Sequence, residues 1–536
     1  MTKRSAVIGL DGAAWQLIDD MLDNGVMPRL KAIKDAGASG ILKSTVPTYT
    51  PPAWTSAATG VNPGRHGVYG FVEGHAQDDA QLMHAGKVRS ATVWEMANAQ
   101  GLRAGIFHLP LTYPARELNG WMVSGMMTPG YGERPPAGFT APAELEDRIH
   151  SWAPNYAIDV SANWEKDYRD AALCDRILAS LDQRVTVLQR LLDEDPVDVL
   201  FSVLESPDRM QHVYYRYMDP NDDMYYSEAG KRLRPDIWRC FQKMDEVVGI
   251  LDDFARDSGG VLVVSDHGFT AWEVSVHTNA LLERWGYLKL KPTARAMQTS
   301  LARRMVPLAK KMLPAKVARE AKGKTFAAID WSQTKAFASP IPQQGIYVNL
   351  EGRERFGIVP PGKLEAIKDD LVRRFEELTG PDGQRVTDTV YRSEDVFSGD
   401  SLKGAPDVLP VLKDHRWEID DEIFHRDPFT DLSHLPRGAH HPDGIVIVAG
   451  EGAQKKSDLN ASVLDVTPTL LYLARAAIPE GLDGKVITDA FDADHTSANP
   501  PRSMDALDKG TRDEESPYSA EEEAMIEESL RGLGYL

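Results

Sequence analysis

The sequence predicts an α/β protein built on a mostly parallel central sheet, with an α+β cap inserted late in the chain. Three observations predict it. Short apolar runs recur, each closed by Asp, Ser or Gly. Amphipathic helical stretches separate them, the βαβ alternation that builds parallel sheets. After about residue 288 the alternation yields to a basic stretch and then to new strand and helix signals. The expected division is a core over 1–288, an inserted cap over 289–430, a closing core segment over 431–490, and an acidic tail with a short terminal helix over 491–536.

Ala6 to Leu10 is an apolar run ended by Asp11-Gly12. It reads as a buried strand with an acid at its carboxyl end, the edge where open α/β sheets bind ligands. Thr50-Pro51-Pro52 then leads into the small-residue run Ala53 to Gly60. Proline suits the first turn of a helix, so a helix starts here with Thr50 as N-cap, its hydroxyl at the positive end of the dipole. Such an end holds anions. Asn62 to Gly67 is a turn-rich loop, Trp94 opens a helical segment, and Arg103 to Phe107 is a strand. Residues 125–165, rich in Gly, Pro and aromatics, read as an irregular excursion that frames a site rather than fills a core.

Leu173, Ile177, Leu181, Val185, Leu188 and Leu192 recur at helical spacing up to Pro196. Val197 to Leu204 is the next strand, and its end delivers Asp208 and His212. Ile237, Phe241, Met244, Val248 and Leu251 mark a second helix closed by Gly259-Gly260. Val261 to Val264 runs into Ser265-Asp266-His267-Gly268. Lys291 to Lys324 holds ten Lys or Arg against one acid, Glu320. It reads as a solvated helix face, or as a basic lip that attracts anionic substrate or a membrane surface. Gly345 to Leu350 is a strand, and Leu364, Ile367, Leu371, Phe375 and Leu378 mark a helix of the insert. Gly438-Ala439-His440-His441 introduces the strand Ile445 to Val448, and Asp465 begins a closing helix. Ser519, with Glu522 three residues on, caps the terminal helix.

The formal charge of -20 excludes a general binder of nucleic acid polymers, which needs a basic surface. Bound metal ions would supply local positive charge for a phosphate instead. Cys174 and Cys240, the two cysteines, build no disulfide framework and fit a reducing compartment. With no apolar leader and no apolar run of about 18 residues, the expectation is a cytoplasmic protein without a transmembrane segment.

Four strand ends deliver Asp11, Asp208 with His212, Asp266 with His267, and His440. Singly, each is ordinary strand-end polarity. Together, three carboxylates and three imidazoles make two sets of ligands for divalent metals. The motifs resemble the alkaline phosphatase superfamily, and within it the type I phosphodiesterase/nucleotide pyrophosphatase family with its phosphohydrolase- and phosphomutase-like relatives. The resemblance rests on Leu10-Asp11-Gly12, Thr50-Pro51-Pro52 with Thr59-Gly60, Pro63-Gly64-Arg65-His66-Gly67, Pro207-Asp208 to His212, Ser265 to Gly268, Gly438-Ala439-His440 and Asp465 to Thr469. It implies a three-layer sandwich and two divalent metal ions, zinc with manganese as the alternative. It assigns Asp208, His212 and His440 to one metal, and Asp11, Asp266 and His267 to the other, completed by the Thr50 oxygen. Gly-x-His spacing favours His440 over His441, and His66 is structural support. Thr50 is then the nucleophile of an in-line displacement through a phospho-threonine, with the helix end donating to the developing charge.

Pyrophosphatases of that family carry an asparagine about twenty residues beyond the nucleophile, and here the interval reaches Phe71, which has no donor. Sulfatase chemistry needs a Cys or Ser in a C/S-x-P-x-R setting, which neither cysteine has. The expected substrate is a small-molecule phosphate ester or nucleotide-like compound, a diester first. Trp54, Phe71 and the excursion offer an apolar pocket for its second substituent. Arg65 is the one arginine near the nucleophile to serve a monoester dianion. Phosphomonoesterase, phosphonate ester hydrolase and phosphomutase or phosphotransferase chemistry use the same site. A catalytically inactive binding protein on this fold would lack a ligand or the nucleophile, and all seven positions are present.

Overall fold

Ser5–Leu10 (β1) is buried from end to end, as its unbroken apolar run requires. In this computed structural model, which describes residues 3–74, 81–292, 328–339, 345–507 and 515–533, it is the middle strand of nine. The others are Ala38–Lys43 (β2), Ala104–Phe107 (β3), Gly120–Val123 (β4), Thr140–Ala141 (β5), Val199–Leu204 (β6), Gly260–Val264 (β7), Asp443–Gly450 (β8) and Lys456–Ser462 (β9). Their order is β9-β2-β8-β7-β1-β6-β3-β4-β5. β8 runs antiparallel to β2 and β7, and β5 to β4; the remaining pairings are parallel.

Alternate residues of these strands enter opposite cores. Ala6, Ile8 and Leu10 face one and Val7 the other; Val261 and Val263 oppose Leu262 and Val264 in the same way. A sheet buried on both faces needs helices on both, which gives the expected three layers. Helices Ala172–Glu194 and Glu228–Ala255 cover the first face through Leu173, Ile177, Leu181, Ile237, Phe241 and Met244. Helices Thr50–Thr59 and Val466–Leu473 cover the second through Trp54, Ala57, Val466 and Leu470. Gly9 lets the first of these approach: a Cβ there would stand 2.6 Å from the Trp54 ring.

A second sheet of seven strands, with its own core, contains strands from Val274–His277 to Phe429–Asp431. Val274–His277 precedes residue 289, where the sequence places the start of the insert. It follows Gly268–Ala271, which forms a two-stranded ribbon with Gly438–His441 and leads from the core sheet into the cap sheet. Residues 293–324 of the basic Lys291–Lys324 segment lie outside the described residues.

Two expectations change. Residues 125–165 do fill core: Phe139, Leu145, Ile149, Tyr156 and Ile158 are buried, and Leu145–Trp152 is a helix. The Gly and Pro content concealed these well-spaced large apolar residues. The acidic tail ends in a docked helix, Ala520–Leu533, whose Ile526, Leu530 and Leu533 join the first core. Its cap is the one expected, with Ser519 N–H donating to Glu522 and Glu522 N–H to Ser519 Oγ. Among the described residues no helix is long and apolar enough to cross a membrane.

Candidate active site and metal centre

The parallel strands set the site because their carboxyl ends share one edge. β1 ends in Asp11, β6 leads into helix Ser206–Met218 with Asp208 and His212 one turn apart, and β7 ends before Asp266 and His267. β8 runs the other way, so its amino-terminal side lies at that edge and brings His440. β2 ends there too, before the Thr50 helix. All seven side chains are buried.

Two groups of ligand atoms form: Asp208, His212 and His440, and Asp11, Asp208 and His267. In the first, the Nε2 atoms of His212 and His440 are 3.0 Å apart, and Asp208 Oδ1 lies 3.3 and 3.4 Å from them. His440 Nδ1–H donates to Thr48 O, which turns Nε2 toward Asp208 and His212. Two imidazole nitrogens and a carboxylate facing one point fit a shared cation. In the second, His267 Nδ1–H donates to Gly268 O, leaving Nε2 as an acceptor 3.6 Å from Asp11 Oδ1 and 3.3 Å from Asp266 Oδ2. Both of those oxygens are buried without a hydrogen-bond donor. Buried orphan carboxylate oxygens beside an imidazole lone pair fit a divalent metal, for which this donor set is chemically apt. Asp208 belongs to both groups, and Asp266 stands beside the second.

Without metal the charges are unevenly held. Burial, then the charges of Asp266 and Asp208, push Asp11 well above the usual carboxylate range. Burial pushes Asp266 up to about 8. Burial also raises Asp208, but His212, a hydrogen bond with His440 and the Arg209 charge outweigh it and hold the carboxyl well below that range. Burial brings His212 down to about 4 and, with the His440 charge, His267 well below its ordinary value. At His440 burial is overcome by Asp208, and the pKa rises.

Thr50 Oγ1 is 3.3 Å from His267 Nε2, at the second group. It is not the N-cap. Tyr49 occupies that position, and Thr50 is the first helical residue with no cap bond from its side chain. Pro51 and Pro52 have no N–H, and the Ala53 N–H donates to Tyr49 O at 3.0 Å. Nothing remains for a hydroxyl to cap, so it turns into the cluster. The same prolines remove the helix-end donors expected for an anion.

The expected substrate contacts also change. Trp54 is fully buried and donates from Nε1 to Asp11 Oδ2 at 2.9 Å. Its one hydrogen-bond donor is thus directed at Asp11. Phe71 is fully buried in the first core. Arg65 Nη1 pairs with Asp483 at 3.0 Å and donates to Gly481 O, away from the cluster. His66 holds Ser56 Oγ at 2.9 Å and accepts the Val68 N–H at 3.1 Å, a structural contact. His441 faces Asp414 and accepts the Asp443 N–H, outside both groups.

Residues that sequence reasoning missed surround the ligands. Gly12 N–H donates to Asp266 Oδ1 at 3.1 Å. Arg209, buried, donates to Asp208 Oδ2 at 2.7 Å and to Asp159 Oδ2 at 2.7 Å. Arg209 stood inside the Asp208–His212 motif, an available signal; Asp159 had none.

The family model for type I phosphodiesterase/nucleotide pyrophosphatase matches residues 5–443. No curated protein matches the chain in sequence. Among solved structures, phosphonoacetate hydrolase from Sinorhizobium meliloti 1021 in complex with phosphonoacetate shares 16% identity at a TM-score of 0.54, over 88% of this chain and 95% of that one. Murine ectonucleotide pyrophosphatase/phosphodiesterase 5 shares 13% identity at a TM-score of 0.47, over 91% of this chain and 100% of that one. At such identity the first likeness is one of fold. The family match spans most of the chain and contains every ligand position described above, and the chain belongs to the type I phosphodiesterase/nucleotide pyrophosphatase family.

Proposed function

We propose that the chain hydrolyses diesters of phosphate, nucleotide-like compounds among them, with Thr50 as nucleophile and two divalent metal ions, zinc or manganese, at the Asp/His clusters. The observation that carries this reading is Thr50 Oγ1 at 3.3 Å from His267 Nε2, beside two buried ligand groups that share Asp208. Bound divalent ions supply there a lowered hydroxyl pKa and compensation for charge growing on the phosphoryl group.

The protein's own residues do the positioning. Trp54 and Gly12 hold Asp11 and Asp266 by one oxygen each, leaving the other free. Thr48 O and Gly268 O keep protons on Nδ1 of His440 and His267, which turns both Nε2 atoms toward the clusters. The Thr50 hydroxyl gives its proton to solvent and Oγ1 attacks phosphorus in line; the Oγ1–P bond forms as the bond to the leaving oxygen breaks, and that oxygen takes up a proton from water. Water then cleaves the phospho-threonine and restores the hydroxyl. Every cluster residue is buried. The cap turn Lys413-Asp414-His415 adjoins the cluster, with φ of 49, 52 and 62° and the His415 ring 5.4 Å from His441. Left-handed non-glycine residues store strain that functional segments tolerate.

With Trp54, Phe71 and Arg65 removed from the substrate surface, the family match supports the diester preference. Two buried cysteines, with Cys240 Sγ donating to Cys174 O, support a reducing, cytoplasmic setting. Thr50→Ala in metal-loaded protein should lower kcat on a p-nitrophenyl diester by roughly a thousandfold or more. Thr50→Ser should keep part of it. Since Thr50 makes no cap, denaturation midpoints should barely move. Retention of most turnover by Thr50→Ala would assign the attack to water and overturn the reading.

A further inference from the structure

Arg437, three residues before His440, is 3% exposed, and among the described residues no carboxylate pairs with it. Its guanidinium lies between two indoles, 4.0 Å from the Trp164 ring centroid and 3.7 Å from that of Trp272. Stacking covers the two faces of the group and leaves its edges. Nε and Nη2 are buried with no hydrogen-bond acceptor. Those two nitrogens form one edge of the guanidinium, the fork that grips two oxygens of a carboxylate or phosphate. A buried cation held only by aromatic faces is costly, since cation–π contact recovers a fraction of its lost hydration.

Arg437 directly precedes the strand that carries His440 of the first metal-ligand cluster. Its charge bears on His212, and the charge of Glu418 bears on both Arg437 and His440. Trp272 N–H donates to Arg437 O at 3.2 Å, extending the ladder in which Phe269 faces His440. Arg437 lies just before that strand, three residues and at most about 10 Å of chain from His440. One of the two indoles, Trp164, is on the one-turn helix Trp164–Asp167, which has no buried residue.

We propose that Arg437 is an anion-binding subsite of the substrate cleft, taking a carboxylate or phosphate group carried by the part of the ester that is not attacked. The subsite rests on the phosphoester reading above and names its substrate class: esters with a second anionic group beyond the reacting phosphorus. Binding moves Trp164 aside and gives Nε–H and Nη2–H their two acceptors.

Three p-nitrophenyl diesters test this, identical except that the second alkyl arm ends in a carboxylate, a phosphonate or a methyl ester. Metal-loaded protein should prefer a charged arm at least about tenfold in kcat/KM, chiefly through KM, as a two-point charged hydrogen bond provides. The better of the two charged arms identifies the group. Arg437→Met should bring the three substrates within about twofold of one another. Arg437→Lys, which keeps a cation between the rings but loses the fork, should retain a reduced preference and guards against a misfolded Met variant. Arg437→Met keeping the preference, or the unmodified protein showing none, would refute the subsite while leaving the diesterase reading intact. Failure to cleave any of the three would refute both.

Discussion

Stripping metal from the protein should make its stability fall with rising pH, and Asp266 should set the slope. Burial pushes this carboxyl up to about 8, from an ordinary value of 3.8. A raised acid contributes stability that is complete below its unfolded value and is lost as pH rises through its folded value. Over pH 6.5 to 8 the native metal-free protein binds a proton at Asp266 that the unfolded chain does not. Each pH unit therefore removes about 1.4 kcal/mol, roughly 2 kcal/mol over the window. The neighbours do not cancel it there. His212 titrates at about 4 in the folded chain and His267 well below its ordinary 6.5, so their opposing effect is spent mostly below pH 6.5 and offsets only part of the loss, about 0.8 kcal/mol, at that edge of the window. The raised His440 and Asp11 act in the same direction as Asp266. Asp208, held low, acts only in acid. Urea denaturation of chelated protein at pH 6.5, 7.25 and 8.0, beside Asp266→Asn, measures the difference in slope. Zinc should abolish the trend in the unmodified protein by replacing the proton. A metal-free stability flat across the window, or an equal slope in Asp266→Asn, would refute the assignment.

The ring of residues behind the ligands yields two more expectations. Trp54→Phe keeps the ring that packs on Phe201 but loses the donor to Asp11 Oδ2, and should weaken metal retention about ten- to a hundredfold by competitive chelation. Arg209→Met leaves Asp159 buried and unneutralised, and should cost about 3–5 kcal/mol in chemical denaturation. Adding Asp159→Asn to Arg209→Met should recover part of that loss, which a purely steric account would not.

The sheet was legible because its physics is local. Ala6 to Leu10 and Val261 to Val264 are apolar at every position since they are buried on both faces, and that pattern needs no partner to be seen. Helix Glu228–Ala255 announced itself through Ile237, Phe241, Met244, Val248 and Leu251 at 3.6-residue spacing. The short strand Gly438–His441 did not, because four residues including Gly and two His carry no periodic signal; only its partner Gly268–Ala271 makes it a strand. The Asp and His residues that cluster were visible for the same reason as the sheet, since polar residues at apolar strand ends stand out. What was hidden depends on distance in sequence. Trp54 lies 43 residues from the carboxylate it holds, and Arg209 lies 50 from Asp159. Nothing in either neighbourhood distinguishes such an indole or guanidinium from one that packs elsewhere.

The Thr50-Pro51-Pro52 motif was read rightly as a helix start and wrongly as a cap, and the difference bears on how the site handles charge. A helix end usually holds an anion with its first free N–H groups. Here two of those groups are missing in the prolines and the third is taken by Tyr49 O, so only the Thr50 N–H remains at that turn. A phosphoryl group placed there gains the helix dipole but almost no backbone hydrogen bonds, in a chain of charge -20. The surrounding carboxylates Asp11, Asp208 and Asp266 make the bare site still more hostile to an anion. In the mechanism proposed above, cations do what the helix end does not, and three carboxylates around the threonine would hold them. The prolines also free the hydroxyl: a threonine engaged in capping would turn its oxygen toward the helix, whereas Thr50 turns it to His267. The same two residues thus remove the helix's own anion site and release the oxygen that replaces it.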